Sequence, residues 1–229
     1  MKQFQFTFKD ENTLDLELRK IRKWSMSNLC SALLIQVYTE LLDRGMIEHT
    51  CLKIREQLPD ALVVGCSSNG NILNGDFSGG SFAAVCTLFE YPATKVKVLQ
   101  YSWTADTQQE VTRKLCSEVR QRPWVKGVEL LVTIRGMSVT ALCEGLSELP
   151  KEIQVFGGGA FCEDLERNDA CVFSSVDGYD EKGIVAAADL AEGIVKQSGR
   201  NTVGEQNVCC FLDVRHGFSF FLRLRLLIW

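Results

Sequence analysis

The sequence predicts an α/β fold built from a duplicated strand-helix-strand-loop-hairpin unit. The units form a mixed sheet, or two related sheets, with packed helices. Two observations carry this expectation. Short apolar runs rich in strand formers alternate with stretches whose apolar residues recur at helical spacing. One strand-loop signature also occurs twice. Val63-Val64-Gly65-Cys66-Ser67-Ser68-Asn69-Gly70-Asn71-Ile72 ends an apolar run in a polar, glycine-bracketed turn. Val155-Phe156-Gly157-Gly158-Gly159-Ala160-Phe161-Cys162-Glu163-Asp164 does the same later in the chain.

The elements follow in order. Phe4, Phe6 and Phe8 alternate with polar residues, the period of a strand. From Thr13 the spacing of Leu14, Leu18 and Ile21 is helical, with Asp15 and Glu17 near the positive N-terminal end. Ala32 to Tyr38 is an apolar strand. Ile47, Cys51, Ile54 and Leu58 mark one face of a helix that Pro59 closes. Ala61 to Val64 is a buried strand, and the first signature loop follows. Ser81 to Phe89 and Lys95 to Tyr101 read as two strands of a hairpin around Tyr91-Pro92.

Thr107 and Glu110 have capping-box spacing before a helix whose stripe is Val111, Leu115 and Val119. This helix joins the two units. Val128 to Ile134 is the next strand, and Ser138 caps a short helix carrying Val139, Leu142 and Leu146. Ile153 to Phe156 is a strand, followed by the second loop. Ala170 to Phe173 and Gly183 to Ala187 flank a turn at Asp177-Gly178, a hairpin signal. Strand-helix-strand steps imply parallel neighbours, and hairpins add antiparallel ones.

The expected organisation is an N-terminal strand and helix over 1–31 and a main body over 32–200. The body divides into repeats of about 32–105 and 126–200. Residues 201–229 read as an anomalous, truncated tail. That tail is apolar but interrupted by Asp213, Arg215, His216, Arg223 and Arg225, which argues against a membrane span.

Composition narrows the function. The 229 residues are 46% hydrophobic and 24% charged, the balance of a folded domain rather than a disordered chain. The net charge of −4 argues against non-specific nucleic-acid binding. Ten cysteines form no Cys-x-x-Cys pair, and only His49 and His216 accompany them, so a zinc site finds no clustered ligands. Reduced thiols in the cytoplasm are the simplest reading. The sequence calls for no cofactor and no membrane.

The two loops carry the chemistry. Gly65, Ser67, Ser68, Asn69 and Gly70 can present several backbone N–H groups and hydroxyls to an anion. A tight turn that only redirects the chain would use the same residues. Gly157 and Gly158 permit close backbone approach, and Glu163 and Asp164 bring carboxylates. Two such loops on one cleft would suit a zwitterion. Cys66 offers another reading, as the nucleophile of a hydrolase or transferase, which requires a base near the thiol. A third reading is a structural interaction module that pairs through an open strand edge.

The runs Val63–Gly75, Val155–Asp164 and Ala170–Leu190 resemble the FIST domain, named for F-box and intracellular signal transduction. Gly65, Cys66, Ser67, Gly70 and Ile72 match its first motif, and Asn71 stands where the family has Glu. Gly157, Gly158, Ala160 and Asp164 match its second, with Asp164 one place further on. The resemblance covers Ala32 to Leu190. It implies a small-molecule-sensing input module without catalysis, with an amino acid or small carboxylate as ligand. The implied binding residues are Gly65, Cys66, Ser67, Ser68, Asn69, Gly157, Gly158, Glu163 and Asp164. The implied partners are signalling outputs such as a diguanylate cyclase, a histidine kinase or a chemotaxis transducer, and the expectation is a module without an output domain of its own.

Overall fold

A computed structural model of the chain describes residues 1–27, 30–73, 76–78, 81–134, 136–161, 170–181 and 183–189. The first unit contains β1 (Lys2–Phe8), α1 (Glu11–Ser27), β2 (Ala32–Thr39), α2 (Arg44–Gln57) and β3 (Ala61–Ser67). It closes with β4 (Asn71–Leu73), β5 (Asp76–Ser78) and β6 (Phe82–Phe89). The second contains β7 (Val96–Ser102), α3 (Gln108–Arg120), β8 (Gly127–Thr133), α4 (Val139–Leu146) and β9 (Gln154–Ala160). It closes with β10 (Val172–Ser174), β11 (Gly178–Asp180) and β12 (Gly183–Asp189). The order is the same in both, so the repeat takes in the first strand and helix of the chain.

The fold is α/β with two mixed sheets and packed helices. One sheet runs β1-β6-β2-β3-β10-β11 and the other β7-β12-β8-β9. β2 and β3 are parallel, as are β8 and β9. The strands β6 and β12 return antiparallel beside β2 and β8.

Alternation along β2 explains the layering. Leu33, Ile35 and Val37 face α1 and α2, where Leu18, Ile47 and Ile54 are fully buried. Leu34 and Tyr38 face the other way, into a core shared with Val98, Leu131 and Val185 of the second sheet. A third core joins Val128, Leu130 and Val132 to Leu115, Val119, Leu142 and Leu146 of α3 and α4. The layers are therefore helices, sheet, sheet, helices. Gln36 crosses the inter-sheet layer and donates to both Glu129 oxygens, at 2.7 and 2.8 Å.

The two expected hairpins are corrected. β6 and β7 lie in different sheets, because β1 and β2 already occupy both edges of β6. The chain from Glu90 to Lys95 crosses between sheets instead. β10 turns back on β11, not on β12, because its edges belong to β3 and β11. The capping box is also corrected: Thr107 makes no side-chain cap bond, and its hydroxyl accepts from Thr104 N at 2.9 Å. Ser138 does cap α4, accepting from Ala141 N at 3.2 Å.

The second hairpin ties the units together. β10 pairs antiparallel with β3 of the first unit. Eleven residues, 161–171, separate β9 from β10, but only 68–70 separate β3 from β4. Among the described residues the β4–β5 hairpin pairs only with itself.

Candidate functional site

The signature residues do not form two loops. Gly65, Cys66 and Ser67 belong to β3, and Gly157 to Ala160 belong to β9. The β8–β9 ladder continues to the Thr133–Ala160 pair, so those glycines sit in a strand. Gly157 has φ +139°, and a Cβ there would stand 2.7 Å from the backbone N and C of Leu130. At Gly158 a Cβ would meet nothing within 4 Å. The close approach expected of Gly158 therefore occurs at Gly157. Gly65 is small because the Phe173 ring and the Val37 carbonyl occupy the space of a side chain.

The structure brings the two signatures together at the carboxyl ends of β3 and β9. Phe161 N donates to Ser67 O at 3.1 Å. Ser67 N donates to Cys171 O, and Cys171 N donates to Ser67 Oγ, both at 3.0 Å. Ser67 thus serves as a buried clasp between the units. Glu163 and Asp164 lie outside the described residues.

Beyond Ser67 the chain turns through Ser68, Asn69 and Gly70, where Gly70 has φ +119°. Ser68 N donates to Thr39 O at 2.8 Å, which holds the turn against the end of β2. Ser68 Oγ donates to Asn71 Oδ1 at 3.2 Å. Asn71 is 2% exposed, and its Nδ2 has no hydrogen-bond partner. Ser81, 1% exposed, also has an unpartnered hydroxyl. Ser81 and Glu40 are the next residues outward from the paired Thr39 and Phe82. The Glu40 carboxylate lies beside Gly70. Three segments thus place Glu40, Ser68, Asn71 and Ser81 at one end of the sheet. Asn71 stood in the quoted motif, but nothing local in the sequence marked Ser81 or Glu40.

Cys66 is buried in the inter-sheet core among Tyr38, Val64 and Val172. His49 lies on α2, across the six-stranded sheet, with Nε2 3.5 Å from Glu11 Oε2. His49 is therefore on the other side of the sheet from Cys66 and cannot serve as its base; His216 lies outside the described residues. Burial pushes the neighbouring Cys171 thiol up to about 12, against the lowering effect of Tyr179 and Ser67. Among the described residues no group of three potential ligands could hold a metal.

Comparison with protein families matches the FIST N domain over residues 34–209. The chain belongs to the FIST N domain family. The match covers most of the chain and passes beyond Leu190, where the resemblance read from the motifs ended. No curated protein matches the chain. A FIST N domain is a sensory domain of signal-transduction proteins. Among the described residues no helix is long and apolar enough to cross a membrane.

Proposed function

We propose that this FIST N domain binds an amino acid or a similar small carboxylate at the joined ends of β3 and β9. The observation that carries the reading is the pair of buried, unpartnered polar atoms, Asn71 Nδ2 and Ser81 Oγ. An unsatisfied buried polar group costs about 1–3 kcal/mol. A ligand that supplies acceptors removes that cost. Asn71 Nδ2 and Ser81 Oγ suit the carboxylate, and Glu40 suits the ammonium. Ser68 and Asn69 shape the turn, and Gly65, Cys66, Ser67, Gly157 and Gly158 hold the strand ends that support it. Glu163 and Asp164 are proposed as further carboxylates of the same pocket.

Binding proceeds without turnover in this reading, which the separation of Cys66 from His49 supports. Occupancy is passed to a signalling output such as a diguanylate cyclase, a histidine kinase or a chemotaxis transducer. A cytoplasmic location is supported by the described cysteines, which form no disulfide among the described residues.

A thermal-shift screen of amino acids and small carboxylates on the full chain tests the proposal. A ligand at a hundred times its Kd stabilises by about 2.7 kcal/mol. Ser81→Ala should keep the melting temperature of the free protein and lose the ligand response. No stabilisation of well-folded protein by any such compound defeats the proposal.

A further inference from the structure

We propose a second ligand site, for an α-amino acid with a cationic side chain, in the groove between β7, α3 and the β10–β11 hairpin. A groove of about 610 Å³ here adjoins another of about 590 Å³, and both are lined by Ser102, Thr107, Tyr179 and Asp180. Neither is lined by any residue of the β3-end pocket.

The groove has two chemically different ends. At one, Gln100 Nε2 donates to Gly178 O at 3.0 Å. A carbonyl oxygen only accepts, so this bond fixes the amide orientation. Gln100 Oε1 is then a buried acceptor with no donor. The carboxylates of Glu110 and Asp177 line the same end. The local cation, Lys114, already lies over the Tyr101 ring, 5.0 Å from its centroid. A side-chain ammonium of the ligand fits this end, with Val111 and Tyr101 beside its methylene stem.

At the other end Trp103 is 2% exposed, and its indole N–H has no acceptor. Arg44 lines that end too, its guanidinium 5.4 Å from the Tyr179 ring. Only its Nε is used in the bond to Glu48 at 2.8 Å. A ligand carboxylate fits between Arg44 and the indole. Glu181 lines this end as well and opposes that anion. Asp180, oriented by a hydrogen bond from Ser102 Oγ, lies on both grooves and fits the α-ammonium. The lining holds Glu110, Asp177, Asp180 and Glu181 against Arg44 and Lys114, which favours a ligand of net positive charge.

The test follows the indole N–H resonance of Trp103 during titration of the full chain with L-lysine. Trp103→Phe assigns that resonance. The expected result is a saturable downfield shift as the indole gains an acceptor. L-norleucine lacks the side-chain ammonium and cadaverine lacks the carboxylate; each should bind at least tenfold more weakly, about 1.4 kcal/mol. Asp180→Asn and Glu110→Gln should each weaken lysine binding, while Ser81→Ala leaves it intact. This separates the groove from the pocket at the end of β3. An indole resonance unmoved by lysine overturns the proposal. So does norleucine or cadaverine binding as tightly as lysine, or undiminished lysine binding in both carboxylate variants.

Discussion

Gly157→Ala and Gly158→Ala are adjacent substitutions for which the structure requires opposite outcomes. At Gly157, φ is +139°, and the added Cβ would collide with the backbone of Leu130 on β8. A non-glycine residue held at such a φ costs about 1–3 kcal/mol. Overpacking costs typically about 1–3 kcal/mol more. Here the obstacle is strand backbone, which cannot rotate away like a side chain. The expected loss is about 2–6 kcal/mol, combining these two effects. In a chain of this size each kcal/mol lowers the melting temperature by roughly 2–4 °C. Gly157→Ala should therefore melt about 4–24 °C lower than the parent. Gly158 has no atom within 4 Å of its Cβ position and no positive φ. Gly158→Ala should stay within about 1 kcal/mol, and the smaller entropy of the unfolded chain can make it slightly stabilising. Circular-dichroism melts and urea titrations of the three proteins measure this. Equal stabilities, or a larger loss at Gly158, would refute the close approach of β8 and β9 at Gly157.

Phe173→Ala should cost about 3–5 kcal/mol in urea unfolding, because the ring is fully buried against Gly65 and anchors β10. Ser138→Ala should cost about 1 kcal/mol in the same assay, since it removes the cap of α4. Burial pushes the Cys51, Cys86 and Cys171 thiols from 9.0 up to about 12. Their contribution to stability is complete below about pH 9 and is lost as pH rises towards 12, because the unfolded thiols ionise first. Urea unfolding across that range should show the decline, with a shallower slope when all three are Ala. Brief alkylation of the folded protein, read by mass spectrometry, should label the partly exposed Cys30 and Cys143 before the five buried described thiols.

Local patterns determined the elements of this protein. The period-two phenylalanines of β1 and the 3.6-residue stripes of α1, α2 and α3 depend only on which face of an element is buried. They were legible without knowing what lay opposite. Two short glycine-bracketed motifs also carried the family. Partner choice was not legible, because it is a competition for strand edges. β6 and β7 looked like a hairpin until β1 and β2 were seen to occupy both edges of β6. The glycines of β9 looked like a loop because the sequence does not show the Leu130 backbone that requires one of them. The candidate pocket was half legible: Ser68 and Asn71 lie in one motif, while Glu40 and Ser81 reach it from the ends of other strands. The groove beside α3 was not legible at all. Its lining comes from β7, α3, the β10–β11 hairpin and the start of α2, which only the tertiary structure brings together. Side-chain chemistry is written residue by residue, but a buried atom without a partner exists only after distant segments have packed around it.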